Sequence, residues 1–136
     1  MTDLVITAAN VELVSGTKKF GIAAEAITAG QPVHKLASDG EIYLSDADHA
    51  TVAKRVVTGI ALNGAAAGQP VGYQIDGVID IGATVTVGEI YVLSGTAGGI
   101  APEADLASGD RVAVLGVGLT SSNIQLGILN SGADVP

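Results

Sequence analysis

Hydrophobic and polar positions alternate along most of this chain in short runs, and glycine-bearing turns break the runs at close intervals. A period of two puts alternate side chains on opposite faces of a half-buried strand. Eleven segments fit that pattern: residues 4–7, 11–14, 19–23, 33–37, 41–45, 55–62, 71–75, 78–82, 89–94, 111–117 and 124–129. Residues 46–53 read as a helical turn, and no segment sustains a helical period. Asp39-Gly40, Asn63-Gly64, Asp76-Gly77 and Gly98-Gly99 fall between the runs, as turn pairs do. The pattern predicts an all-β fold, a compact β-barrel or β-sandwich.

The runs repeat. AGQPV occurs at residues 29–33 and again at 67–71. Gly30 and Gly68 can take positive φ, while Pro32 and Pro70 fix φ and extend the Gln before them. Each phrase is therefore a turn leading into the first residues of a strand, where proline is tolerated. Weaker versions run from Ala65 to Val71 and from Leu106 to Val112. Ile27-Thr-Ala-Gly-Gln-Pro-Val also aligns with Val85-Thr-Val-Gly-Glu-Ile-Tyr, which makes Gly88 a turn of the same kind. The shift that carries Ile27 onto Val85 also carries Ile42 onto Ile100. A shift shorter by a single position lays Gly59-Ile60-Ala61-Leu62 over Gly116-Val117-Gly118-Leu119. Two similar strand–turn modules forming one domain over residues 25–136 are expected. Residues 1–24 fall outside this alignment and read as an N-terminal arm or as edge strands.

Composition narrows the function classes. The net charge is −8 with only six basic residues, which disfavours nucleic acid and anionic membrane surfaces. There is no cysteine, so neither disulfides nor thiolate metal sites can form. The N-terminus lacks a signal-peptide pattern and no run reads as a membrane helix, so a soluble protein made in a cytoplasm is expected. Four aromatic residues leave a core of Val, Ile, Leu and Ala, which points to added stability from association.

Chemistry is sparse. Asp46, Asp48 and His49 could bind a divalent metal or serve acid–base catalysis, but as loop residues they more simply accept backbone N–H bonds. His34 lies in a strand pattern beside Lys35, as on a solvated face. Gly95-Thr-Ala-Gly-Gly lacks the Lys-Ser or Lys-Thr of a phosphate loop and reads as a hairpin. Lipoyl and biotinyl carrier domains use comparable turns, but no lysine here sits in the hairpin tip they need. No catalytic, cofactor or metal site is expected. Lys54-Arg55 reads either as a solvated strand start or as an ion-pair contact for an acidic partner.

The runs EAITAGQPVHKLASDGEIYLSDAD, VVTGIALNGAAAGQPVGYQIDGVIDIG, EIYVLSGTAGG and IQLGILNSG resemble capsid decoration (cement) proteins of tailed bacteriophages over about residues 25–132. That resemblance implies a small β-protein without enzymatic activity that forms homotrimers. It implies a virion location on the outer surface of an icosahedral head, where the trimer stabilises the lattice of the major capsid protein. Arms in such proteins reach neighbouring subunits, which makes Val11, Leu13, Val14, Lys18, Lys19 and Phe20 the candidate contact segment. The alternative is a surface-displayed carbohydrate- or receptor-binding β-domain.

Overall fold

The computed structural model describes residues 3–136. Among these residues, eleven strands form two antiparallel sheets packed as a sandwich, and neither sheet closes into a barrel. The six-stranded sheet holds, in order, β1 (Glu12–Ser15), β7 (Gly77–Asp80), β11 (Asn123–Asp134), β10 (Arg111–Gly118), β8 (Ile90–Leu93) and β9 (Ile100–Pro102). The five-stranded sheet holds β2 (Lys18–Ile22), β6 (Pro70–Gln74), β5 (Gly59–Ala61), β3 (Pro32–Lys35) and β4 (Ile42–Leu44).

The two sheets are two copies of one five-strand module. In β2–β6 the first strand lies beside the fifth, then come the fourth, second and third, and β7–β11 repeat that order. Register follows as well. Val33 faces Leu44 and Gly59 on its two sides, and its counterpart Tyr91 faces Pro102 and Gly116. Inward side chains recur at the same interval: Ala23 and Ile81, Ile27 and Val85, Val33 and Tyr91, and Ile42 and Ile100 are all buried. Volume is traded between copies. The large residue is Tyr73 on the fifth strand of the first module and Tyr91 on the second strand of the other. Their counterparts are Leu126 and Val33.

The repeat begins at β2, earlier than the sequence alignment places it. β7 is sandwiched between β1 and β11, whereas β2 is an outer edge, so the two strands carry different side chains. Residues 12–22 therefore belong to the sandwich as edge strands. Residues 4–7, expected as a strand, form an extended strap held by Leu4 N–H on Ile100 C=O and Thr7 N–H on Gly82 C=O, both at 2.8 Å. Of the expected strand over residues 55–62, β5 keeps only Gly59–Ala61, and the helical turn is the 3-10 segment Val52–Lys54. The alternation does not predict β9, and β11 runs on to Asp134.

One bent ribbon joins the sheets. β1 and β2 run as a single strand against β7 and β6, from Glu12 opposite Asp80 to Ile22 opposite Pro70, with an irregularity at Ser15. The ribbon turns from one sheet to the other at Gly16 and Gly77. A Cβ on Gly77 would lie 2.1 Å from the Ser15 carbonyl oxygen, and one on Gly16 would lie 2.2 Å from that of Asp76. The Gln74 amide nitrogen lies within 2.9 Å of the carbonyl oxygens of Ser15, Asp76 and Val78, which share its two N–H groups, and Asp76 Oδ1 accepts Thr17 N–H at 2.7 Å. These bonds satisfy backbone groups that the bend removes from the ladders.

The repeated phrase has a local cause. Gly30 and Gly68 hold φ of +92° and +86°, and Gln31 and Gln69 each accept the N–H three residues back, from Thr28 at 2.8 Å and Ala66 at 2.9 Å. Asp110 does the same for Ala107 before β10, with Gly109 at φ +91°. Before β8, Gly88 holds φ +84° and Thr86 N–H goes to the Tyr91 hydroxyl instead. The phrase is thus a turn that launches β3, β6, β8 and β10, self-capped before three of them and capped by the Tyr91 hydroxyl before β8.

The corner and the turns differ in tolerance. Gly77→Ala combines a left-handed backbone with a backbone collision and is expected to cost about 3 kcal/mol or more. Gly88→Ala meets nothing within 4 Å and is expected to cost only about 1 kcal/mol. Urea unfolding of the two variants checks the difference.

Candidate functional site

The chemistry-bearing residues gather in the loop from Ser45 to Arg55, between β4 and β5. Asp46 N–H donates to Lys54 C=O, Asp46 Oδ1 accepts Asp48 N–H, and His49 Nδ1 accepts Thr51 N–H at 2.9 Å. The acidic side chain and the imidazole are thereby spent on folding the loop. Burial, and then the neighbouring Asp48 carboxyl, raise Asp46 above its ordinary value. No three metal-ligating side chains converge among the described residues. A cavity of about 390 Å³ lies nearby, lined by Asp3, Ser94, Gly95, Asp105 and Asp110. Ser94 donates to Asp3 there at 2.7 Å, and Asp110 caps Ala107.

His34 is a correction. It is fully buried, where the sequence suggested a solvated face. Its ring stacks on Tyr43 with centroids 5.9 Å apart, and Lys54 Nζ lies 4.2 Å from the centre of the Tyr43 ring. Ser45 Oγ donates to the Val56 carbonyl at 2.6 Å, so it accepts from His34 Nδ1 at 3.2 Å. That fixes the tautomer, with the proton on Nδ1 and a buried Nε2 that has no partner among the described residues. The hydroxyl proton points away from the imidazole, so this Ser–His pair is arranged as a packing contact and not as base and nucleophile. Burial first, then Lys54 and His49, lower the His34 pKa to about 4.

The basic pair is also engaged within the chain. Lys54 covers Tyr43, whereas Arg55 donates to His49 C=O at 2.6 Å and pairs with Asp134 at 3.6 Å. Arg111 holds the same carboxylate. Asp134 therefore clamps the end of β11 to both modules. Nothing in the sequence spacing points to it, because Arg55 and Arg111 both lie far back along the chain.

The candidate arm divides by face. Val11 is buried in the main core and Leu13 is half-buried. Val14, Lys18, Lys19 and Phe20 are exposed, Phe20 at 67%. Lys18 Nζ lies 5.0 Å from the Phe20 ring centre. Ile22 is exposed on the same face of β2 as Lys18 and Phe20, the alternation being the signal that places it there, while Lys19 falls on the other face, opposite Tyr73. β1 and β2 each pair on one side only, so residues 12–22 form a continuous outer edge of both sheets.

No helix among the described residues is long and apolar enough to cross a membrane. No protein-family model matches the chain, and no curated protein matches it either.

His34 gives a pH prediction. Unfolded, it binds its proton at an ordinary pKa of 6.5, and folded only near 4. The unfolded chain thus holds more protons between these values. Stability from the neutral ring is complete above pH 6.5 and is lost as the pH falls toward 4, by about 3 kcal/mol in total. His34→Gln should flatten that part of the stability–pH curve, read as the difference from wild type in urea midpoints.

Proposed function

We propose that this chain is a structural virion protein, a capsid decoration protein of a tailed bacteriophage. In this reading it sits as a homotrimer on the outer surface of an icosahedral head and stabilises the major capsid protein lattice. The likeness of residues 25–132 to such proteins motivates the reading. The observation that carries it is the outer edge of residues 12–22. There Val14, Phe20 and Ile22 are apolar and exposed, and two of the chain's six basic residues, Lys18 and Lys19, stand beside them.

An edge of this kind offers both apolar area and unpaired backbone groups to a neighbouring chain. Lys18 and Lys19 outweigh Glu12 within residues 12–22, so on a chain of charge −8 this segment carries the opposite sign to the whole, which suits it to an acidic patch of a shell. A trimer carries three such edges, so moderate contacts gain from multivalency. A sugar-binding reading has less support. Tyr73 and Tyr91 are buried, and His34 and Lys54 occupy the ring of Tyr43.

The test is binding to expanded, undecorated heads from the protein's own source, followed by electron cryo-microscopy of the pellet. Saturable binding with density at three-fold positions is expected. Phe20→Asp should leave the circular dichroism unchanged and lower apparent affinity about tenfold or more. Absence of binding to correctly expanded heads would refute the reading, and unchanged affinity of the variant would remove the edge from it.

A further inference from the structure

The two modules are equivalent inside but not outside. On the outer face of the first module, Ala29, Pro32 and Ile60 are buried and Leu62 is half-buried. Ala29, Ile60 and Leu62 belong to the main core together with Leu93 and Leu115 of the second module and Ile6 of the strap. Their counterparts in the second module are Val87, Ile90, Val117 and Leu119. Val87 is 66% exposed, Val117 41% and Leu119 47%, and Ile90 is half-buried.

The equivalence is one of geometry as well as numbering. Gly30 N–H donates to Ala61 C=O and Ala61 N–H to Gln31 C=O, at 2.8 and 2.9 Å; Gly88, Gly118 and Glu89 repeat both bonds at 2.8 and 2.9 Å. The glycines mark the difference. A Cβ on Gly30 would lie 2.6 Å from Ile6 and 3.2 Å from Val11, whereas one on Gly88 would meet nothing within 4 Å. The same backbone platform is covered in one module and bare in the other.

We infer that the stripe of Val87, Ile90, Val117 and Leu119 is a self-association surface, covered in the assembled protein by a second copy of this chain. The chain itself supplies the precedent, because its own residues already cover the equivalent face once. Electrostatics permits it. Glu89 is the one charged side chain within the segments 87–90 and 116–119, so two chains of charge −8 can meet here without opposing clusters of carboxylates. Ile90 and Val117 stand opposite one another across β8 and β10, and Val87 and Leu119 flank them just outside those strands, an apolar face suited to packing against another β-surface. The inference deepens the homotrimer of the proposed function and rests on its self-association, not on the capsid as partner.

Sedimentation of the wild-type chain from micromolar to near-millimolar concentration is the first measurement, with Val117→Glu and Val87→Lys beside it. The wild type is expected to associate, and both variants to remain monomers with unchanged thermal unfolding. A photo-crosslinking residue at position 117 is expected to capture a second copy, and one at the exposed position 52 is not. A wild type that stays monomeric throughout, or association that both variants retain, would overturn the inference. Monomers that still decorate heads would overturn it while leaving the capsid reading intact. Association that depends on the stripe, without binding to heads, would support it and count against the capsid reading alone.

Discussion

The close approach of two backbones at Gly16 and Gly77 is the constraint on which the sandwich depends. A single Cβ at either position would collide with a carbonyl oxygen of the other strand. Because no side chain intervenes, the ribbon of residues 12–22 and 70–80 can fold from one sheet to the other and resume its register after the irregularity at Ser15. Gln74 and Asp76 then satisfy the backbone groups exposed by the bend. Everything else about the layers follows from this corner. It sets the first module against the second, brings Ile60 and Leu62 over Leu93 and Leu115, and lets the strap from Leu4 to Thr7 lie across the joint.

Duplication solves a packing problem for a chain with few aromatic side chains. Each module buries the same inward positions, and a single tyrosine fills each interior from a different strand. Small aliphatic side chains need close backbone approach to reach the density of a protein interior. Glycines at Gly21, Gly59, Gly116 and Gly118 permit it, since a Cβ at each would meet a neighbour within 2.6 Å. The cost of this arrangement falls outside. Only one of the two equivalent outer faces can be covered by the other module, and the second stays apolar and exposed.

Much of the fold is legible in the sequence. Alternation locates most strands. The shifts that carry Ile42 onto Ile100 and Gly59 onto Gly116 are those at which β3 and β8, β4 and β9, and β5 and β10 correspond. What is hidden has physical causes. β2 does not look like β7 because one is an edge and the other is covered on both sides. β9 spans only Ile100–Pro102, too short for a pattern of its own, although Ile100 aligns with Ile42. His34 reads as exposed in the sequence because its burial comes from Tyr43 and Ser45, whose proximity depends on the β3–β4 pairing. The exposed stripe is invisible for a related reason. Valines and leucines at strand positions look alike whether a second layer covers them or not.

Two uncovered surfaces carry the function proposed for this chain: the edge of residues 12–22 and the stripe of Val87, Ile90, Val117 and Leu119. Hydrogen–deuterium exchange, compared between dilute protein and protein bound to expanded heads, examines both at once. Added amide protection is predicted in β1 and β2 and in residues 87–90 and 116–119, with little change in the turn around Gly68. Protection confined to other segments, or exchange identical in the two samples, would contradict this picture.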